Sequence, residues 1–534
     1  MGEAASIHEA TAAGQQRPSA EFVRMKALAE AGNANAQHSL GFMYVNGQGV
    51  PKNYEMAVAW YRMAAAGGLA QAQYNLGVMF QKGQGVAQDY QQAFYWYQRA
   101  AEQGYAAAQY NLGWLYAKGL GVAADVQQAL HWFGLAAAQG DPNAQHNLGL
   151  MYEAGRGVPQ DQDQAMQWYR RAAEQGHARA QFSLGLRYDG GQGAARDPQQ
   201  ALGWFRKAAE QGYAPAQFNL ALRYDKGIDL EQDSTRAIRW YLRAAEQGHA
   251  SSQFNLALIY DSGHGVARDE EQALAWFRRA AEQGHAGAQD NLGLRYELGK
   301  GVAQDHAQAA HWYRQAAEQG LPGAQYHLAV LYDSGTGVPA DPAQAIALYA
   351  KAAEQGYLRA QFDLGLRFEN GIGVERDLAR ALHWYRRAAA QEYAPAQYMV
   401  GALLDRDEDG GHDPLEACDW YRKAAEQGHA LAQFALALRH DCGGAGLDQD
   451  YEQAHGWYLA AARQGHGRAQ FNLGVMYASG QGVARDLVAA WCWLQRAAMS
   501  NAPGAARYAE RIGLRMEPDQ LERAKRLLAG AHTA

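Results

Sequence analysis

The chain has 534 residues, 48% of them hydrophobic and 19% charged, with a formal net charge of −7. Its 60 Gly follow no three-residue period, which excludes collagen, and an aromatic content of 11% argues against disorder. No apolar run approaches the roughly 18–20 residues of a membrane span, and the negative balance argues against nucleic acid, which wants a clustered basic surface.

Residues 1–20 read as a disordered tail. They hold no basic segment followed by an apolar one, so no secretion signal is expected. The three cysteines, Cys418, Cys442 and Cys492, are too few for a disulfide framework and form no C-x-x-C. The expected compartment is therefore the cytoplasm, with non-classical export left open. Residues 21–34 read as an N-terminal capping helix, because FVRMKALAEAGN at 22–33 mimics the second half of the repeat that follows.

Residues 35–503 carry that repeat thirteen times. An Ala-Gln pair begins at Ala36 and recurs every 36 residues, with one single-residue insertion before Ala469; at Ser252 a serine takes the Ala place. Of the 14 Trp, all but Trp114 and Trp491 fall at one repeat position. In repeat 2, Ala72, Leu76 and Phe80 form one helical stripe, called here the A helix. Gly83-x-Gly85-Val86 stops it, and Asp89 is a candidate N-cap for a second, B helix carrying Ala93, Trp96, Tyr97, Ala100 and Ala101. Neither stripe can be buried alone, so neighbouring repeats must share a core, and the expected class is an all-α solenoid of two-helix, 36-residue repeats.

The pattern A-Q-x-x-L-G-x-x-Y-x-x-G-x-G-V-x-x-D-x-x-x-A-x-x-W-Y-x-x-A-A-x-x-G resembles the Sel-1-like repeat family, relatives of the tetratricopeptide repeats. The resemblance implies a right-handed superhelix that acts as a scaffold or adaptor for other proteins, often in bacteria. A toxin-neutralising (immunity) or secretion-linked binder is the alternative it suggests. The cysteines of the family's disulfide-bearing branch are missing here.

Counting the Ala of Ala-Gln as zero, positions 0, 4 and 8 of the A helix point inward, while 2, 3, 6, 9 and 10 share the other face. In the family that face lines a concave groove, so its residues are the expected partner-binding set. Position 2 is an aromatic ladder that includes Tyr74, Tyr110, Phe182, Phe218, Phe254, Tyr326 and Phe362. Position 3 is mostly Asn, including Asn111, Asn147, Asn219 and Asn255. Aromatics offer apolar footholds and Asn can pair with peptide groups, which suits an extended segment. Packing against a neighbouring helix is the competing role. Position 9 is acidic in nine successive repeats: Glu153, Asp189, Asp225, Asp261, Glu297, Asp333, Glu369, Asp405 and Asp441. An acid in a helix's last turn opposes the macrodipole, so either a basic segment of a partner or a neighbouring repeat must explain the row. Arg187, Arg223, Arg295, Arg367 and Arg439 stand two residues earlier, a spacing that does not pair on one helix. Basic pairs late in B helices, such as Arg170-Arg171, favour the dipole and read as a solvated face.

Repeat 11 departs from the pattern. Its loop DRDEDGGHDPLE (405–416) matches a calcium-binding loop, with Asp405, Asp407, Asp409, the Gly411 carbonyl, Asp413 and Glu416 as candidate ligands. The repeat explains part of the match by itself. Asp405 belongs to the acidic row, and Asp413 with Glu416 forms a capping box. No cofactor is expected, with calcium as the alternative and a calcium-responsive binding module as its functional form. Residues 504–534 read as C-terminal capping helices, the last with Leu521, Ala524, Leu527 and Leu528 at inward spacing. No H-E-x-x-H, G-x-G-x-x-G or G-x-S-x-G occurs, and the 18 His fall at repeat-dictated places, so no catalysis is expected. The expected partner is another protein, reached through a basic or extended segment.

Overall fold

A computed structural model describes residues 19–406, 412–444 and 447–530, and every regular element among them is an α-helix. The helices come in pairs, one pair per repeat, as in Ala70–Lys82 (A) and Tyr90–Glu102 (B) of repeat 2. The chain divides after Arg268 into two compact units, and repeat 7 contributes its A helix (Ala250–Ser262) to the first and its B helix (Glu270–Glu282) to the second. Within each unit a helix packs on its neighbours in the chain, which is the layering of an α-solenoid.

Small residues set how closely a pair can approach. A Cβ added at Gly77 would stand 2.7 Å from the ring of Tyr97, the fully buried aromatic of the partner B helix. Gly85 has φ +70°, and a Cβ there would lie 2.4 Å from the Tyr54 carbonyl of the preceding B helix. Both the backbone conformation and the close approach therefore require glycine in this loop. Asp89 caps the B helix by accepting from the Gln91 and Gln92 amides at 2.9 and 3.0 Å. The histidines that follow the repeat-ending Gly are caps too: His177 Nδ1 accepts from the Ala180 amide at 3.2 Å, where Asp141 does the same for Ala144 at 2.8 Å.

Repeats are joined by the Gln of the Ala-Gln pair. Gln73 is buried, and its Nε2 donates to the Ala65 carbonyl near the end of the previous B helix at 3.2 Å. Its Oε1 accepts from Gln103, in the AAEQG string of its own repeat, at 2.7 Å. The same donation runs from Gln109 to Ala101, Gln181 to Ala173 and Gln361 to Ala353. Each is a second donor to a last-turn carbonyl that also accepts the amide three residues on, as Ala65 does from Gly68 at 3.0 Å. Such a bond contributes about 1 kcal/mol net.

The ends reuse these parts. The helix Ala20–Glu30 occupies the place of a B helix, since Gln37 donates to the Ala29 carbonyl at 3.1 Å. At the other end, Ala505–Gly513 and Pro518–Gly530 bury Ile512 and Ala524 with Trp491 and Leu494 of the last B helix, Leu487–Met499. Leu521 and Leu528 join that cluster, but Leu527 is 53% exposed, because Leu528 takes the slot one turn after Ala524.

Candidate functional site on the A helices

In repeat 2 the A helix buries Ala72, Gln73, Leu76, Gly77, Met79 and Phe80. At about 100° per residue that arc leaves position 6 at the centre of the solvent side. Position 6 holds no polar residue in any repeat; in the first unit it is Phe42, Val78, Trp114, Leu150, Leu186, Leu222 and Leu258. Phe42, Leu150, Leu186 and Leu258 are 48, 43, 41 and 39% exposed. Val78, Trp114 and Leu222 are half-buried. Scattered exposed leucines are ordinary, but an apolar residue at this outward place in every repeat makes a row. In the second unit Leu294 is 37% exposed, while Val330, Leu366, Leu438 and Val475 are half-buried. Sequence reasoning placed position 6 on this face without singling it out; its uniform apolar identity was the available signal.

Three concavities lie between successive A helices of the first unit. One of about 350 Å³, between repeats 3 and 4, is lined by Trp114, Leu150 and Met151. A second, of about 310 Å³, takes in Leu150, Phe182 and Leu186, and a third, of about 460 Å³, takes in Leu222, Asn255 and Leu258. Each has a position-6 side chain in its wall.

The position-2 rings are half-buried and bridge structural neighbours. Tyr74 lies 5.8 Å from the Tyr97 ring and 5.2 Å from Tyr105 at the start of the next repeat. Tyr110 meets Phe133, Phe182 meets Phe205 and Tyr213, and Phe218 meets Tyr241 and His249. In the second unit Tyr326 meets Tyr349 and Tyr357, and Phe362 meets Tyr385 and Tyr393. Phe254 holds the same half-buried place in repeat 7. Each ring therefore offers one edge or face outward, not a free side chain.

The Asn row is similarly engaged. Asn255 Nδ2 donates to the Tyr241 hydroxyl at 3.0 Å, and Asn219 accepts from Arg223 Nε at 3.0 Å. Asn147 lies beside Tyr110, and Asn111 beside Tyr74 and Tyr97. In repeat 4, position 2 is His146, whose imidazole is held down to about 4 by burial first, then by His177 and Arg179.

The acids of position 9 do two structural jobs. They accept the hydroxyl of the buried B-helix tyrosine: Tyr169 donates to Glu153 at 2.5 Å, Tyr313 to Glu297 at 2.6 Å, Tyr385 to Glu369 at 2.7 Å and Tyr458 to Asp441 at 3.0 Å. Burial and these carboxylates raise the tyrosine pKa values, so the hydroxyls stay donors. The acids also bind an arginine of the following repeat. Glu153 pairs with Arg187, Asp189 with Arg223 at 2.5 Å, Asp333 with Arg367 at 2.5 Å, and Asp405 with Arg439. Thus the arginines two residues before an acid serve the acid of the preceding repeat. Glu369 is buried and also meets Arg406 at 3.0 Å. Asp225 lies 3.5 Å from Lys226, in the third concavity, and Asp261 sits at the same position in repeat 7.

Of the candidate calcium ligands, Asp407, Asp409 and Gly411 lie outside the described residues. Asp405 is engaged by Arg439, Asp413 caps Pro414–Glu426 through the Glu416 amide at 2.9 Å, and the Glu416 carboxylate takes Arg386 at 2.7 Å and Trp420 Nε1 at 2.9 Å. The late B-helix cations have a role that sequence reasoning missed. Arg171 covers the Trp168 ring at 4.6 Å, Lys207 covers Trp204 at 4.0 Å and Arg387 covers Trp384 at 4.9 Å. Among the described residues no helix is long and apolar enough to cross a membrane.

The Sel1 repeat model matches thirteen consecutive segments, from residues 34–69 through 467–501. A protective antigen of uropathogenic Escherichia coli strains, with an SLR fold, is 34% identical over 88% of this chain and 93% of its own, with a TM-score of 0.58. A Sel1 repeat protein from Oxalobacter formigenes is 35% identical over 59% of this chain and 90% of its own, with a TM-score of 0.46. An immunity protein from Pseudomonas aeruginosa is 22% identical over 40% of this chain and 81% of its own, with a TM-score of 0.26. No curated protein sequence matches. With the repeat model covering consecutive segments from residue 34 to residue 501, the chain belongs to the Sel1 repeat family.

Proposed function

We propose that this Sel1 repeat chain is a non-enzymatic binding scaffold that receives a segment of another protein across the A helices of its first unit. The observation that carries this is the position-6 row, with Phe42, Leu150, Leu186 and Leu258 exposed at 39–48% and the three leucines lining concavities that a partner's side chains can enter. The Asn and aromatic rows already have internal partners, so apolar contact at position 6 supplies most of the affinity, and the half-buried rings and Asp189, Asp225 and Asp261 border it.

The test is capture of binding proteins from the native lysate by three forms of the full chain. These are the unaltered protein, Leu186→Glu/Leu258→Glu, and Arg206→Glu on the exposed part of a B helix. A stoichiometric partner held by the first and third forms but lost from the second is the expected result. Undiminished capture by the leucine double variant would overturn the reading. Thermal melting of all three forms controls for folding.

A further inference from the structure

The concavity between the A helices of repeats 3 and 4 differs in chemistry from the other two. Trp114 stands at position 6, where Leu or Val is usual, and it is the A helices' sole tryptophan. With Tyr110, Leu150 and Met151 it makes an apolar floor of a space of about 350 Å³. Three cations ring that floor: Lys118 ends the A helix Ala106–Lys118, Arg156 lies in the loop after Pro142–Ala154, and Arg179 sits in the first turn of Ala178–Gly190. All three are exposed, and among the described residues no carboxylate lies within ion-pairing distance of them. No acid lines the space. The carboxylates nearby are already committed: Asp141 caps the A helix of repeat 4, and Glu153 holds Arg187 and the Tyr169 hydroxyl.

We infer that this concavity binds an acidic peptide segment of a partner protein, which seats one bulky apolar side chain on Trp114 and lays carboxylates against Lys118, Arg156 and Arg179. The apolar floor selects the anchor, and charge complementarity selects its flanks. A nucleic-acid strand fits less well. Its phosphates would continue along the A helices past Arg179 onto Glu153, Asp189 and Asp225, and the chain's net charge is −7. The inference shares with the proposed function only the placement of the partner on the A-helix face.

The test is an array of eleven-residue peptides with a central Leu, Ile, Phe, Trp or Gly between all-Glu or all-Lys flanks, probed with the full chain, followed by fluorescence anisotropy of the tightest member. Trp114→Leu installs the residue that repeats 4 and 5 carry at that position, so it tests the floor without an alien side chain. Lys118→Ala/Arg156→Ala/Arg179→Ala tests the rim. The expected result is binding of acidic peptides with a large apolar centre, weakened about tenfold or more by either variant and by raised salt, and unchanged in Arg206→Glu, which lies on a B helix away from this concavity. Failure of the peptide test leaves the wider binding face to be judged separately, by capture with Leu186→Glu/Leu258→Glu. Several results would each overturn the inference: retention of no acidic peptide, equal binding of Gly-centred or Lys-flanked peptides, equal affinity of the variants, or tighter binding of a ten-nucleotide single-stranded RNA run in parallel.

Discussion

Repeats 2 and 4 have the same helices but solve one packing problem differently. In repeat 2, Gln81 stands at position 9 and accepts the Tyr97 hydroxyl at 2.5 Å. In repeat 4, Glu153 stands there, accepts the Tyr169 hydroxyl at 2.5 Å and also binds Arg187 of repeat 5. Repeat 3 has Phe133 in place of the tyrosine, Met151 rather than arginine in the repeat that follows, and Ala117 at position 9. The acid therefore appears where a buried hydroxyl needs an acceptor or an incoming arginine needs a counter-charge. A carboxylate row that looks like a ligand surface in the sequence is, in large part, the seam between repeats.

The largest expected effect breaks that seam at Arg223. This guanidinium is 5% exposed and holds Asp189 at 2.5 Å, Asp229 at 2.8 Å and Asn219 at 3.0 Å, over the Phe205 ring. Arg223→Ala strands the Asp189 carboxylate, leaves Asp229 with Arg196 at 3.3 Å and opens a gap, and a loss of about 3 kcal/mol is expected from denaturant unfolding.

A smaller effect concerns pH. The unfolded-state value for His146 is near 6.5, while in the fold it is held down to about 4. Between those values the unfolded chain binds the extra proton, so stability is full above pH 6.5 and falls as pH drops toward 4. The expected loss between pH 7 and pH 5 is about 2 kcal/mol, and His146→Asn, which gives this position the residue type of the row beside it, should abolish that share of it. Equal acid sensitivity in the two proteins would remove His146 as the cause.

The smallest pair of effects sharpens the comparison itself. Glu153→Gln keeps an acceptor for Tyr169 but takes the counter-charge from Arg187, whose side chain is 10% exposed, and a loss of about 1–2 kcal/mol is expected. Gln81→Glu adds a charge where no arginine arrives and should stay within about 0.5 kcal/mol of the parent. Matching losses at the two sites would show that the hydroxyl bond, not the arginine, decides the residue type.

Much of the fold was legible in the sequence. The 36-residue period, the inward stripe of Ala72, Leu76 and Phe80, the Asp89 cap and the glycine stop at Gly83 all appear in the structure in those roles. These features follow from local periodicity and backbone preference, which act within a dozen residues. The site was less legible because its partners lie a repeat away. The spacing excluded a pair between Arg187 and Asp189, two residues on, and left a neighbouring repeat open; that the partner is Glu153, 34 residues back, needed the packed repeats. The buried role of Gln73 also needed the preceding B helix in place before its donor could be assigned. Position 6 was placed on the outward face but passed over, because the aromatic, Asn and acidic rows beside it carry the more conspicuous chemistry, while Leu186 and its equivalents stand at the centre of that face, opposite the buried arc.

The most direct measurement is site-specific photocrosslinking of the full chain in its native lysate, with benzoylphenylalanine placed in turn at Leu186, Leu258 and Arg206. Adducts to one partner from 186 and 258, with none from 206, are the expected result. Adducts from 206 alone would place the partner on the B helices and contradict the assignment of the binding face.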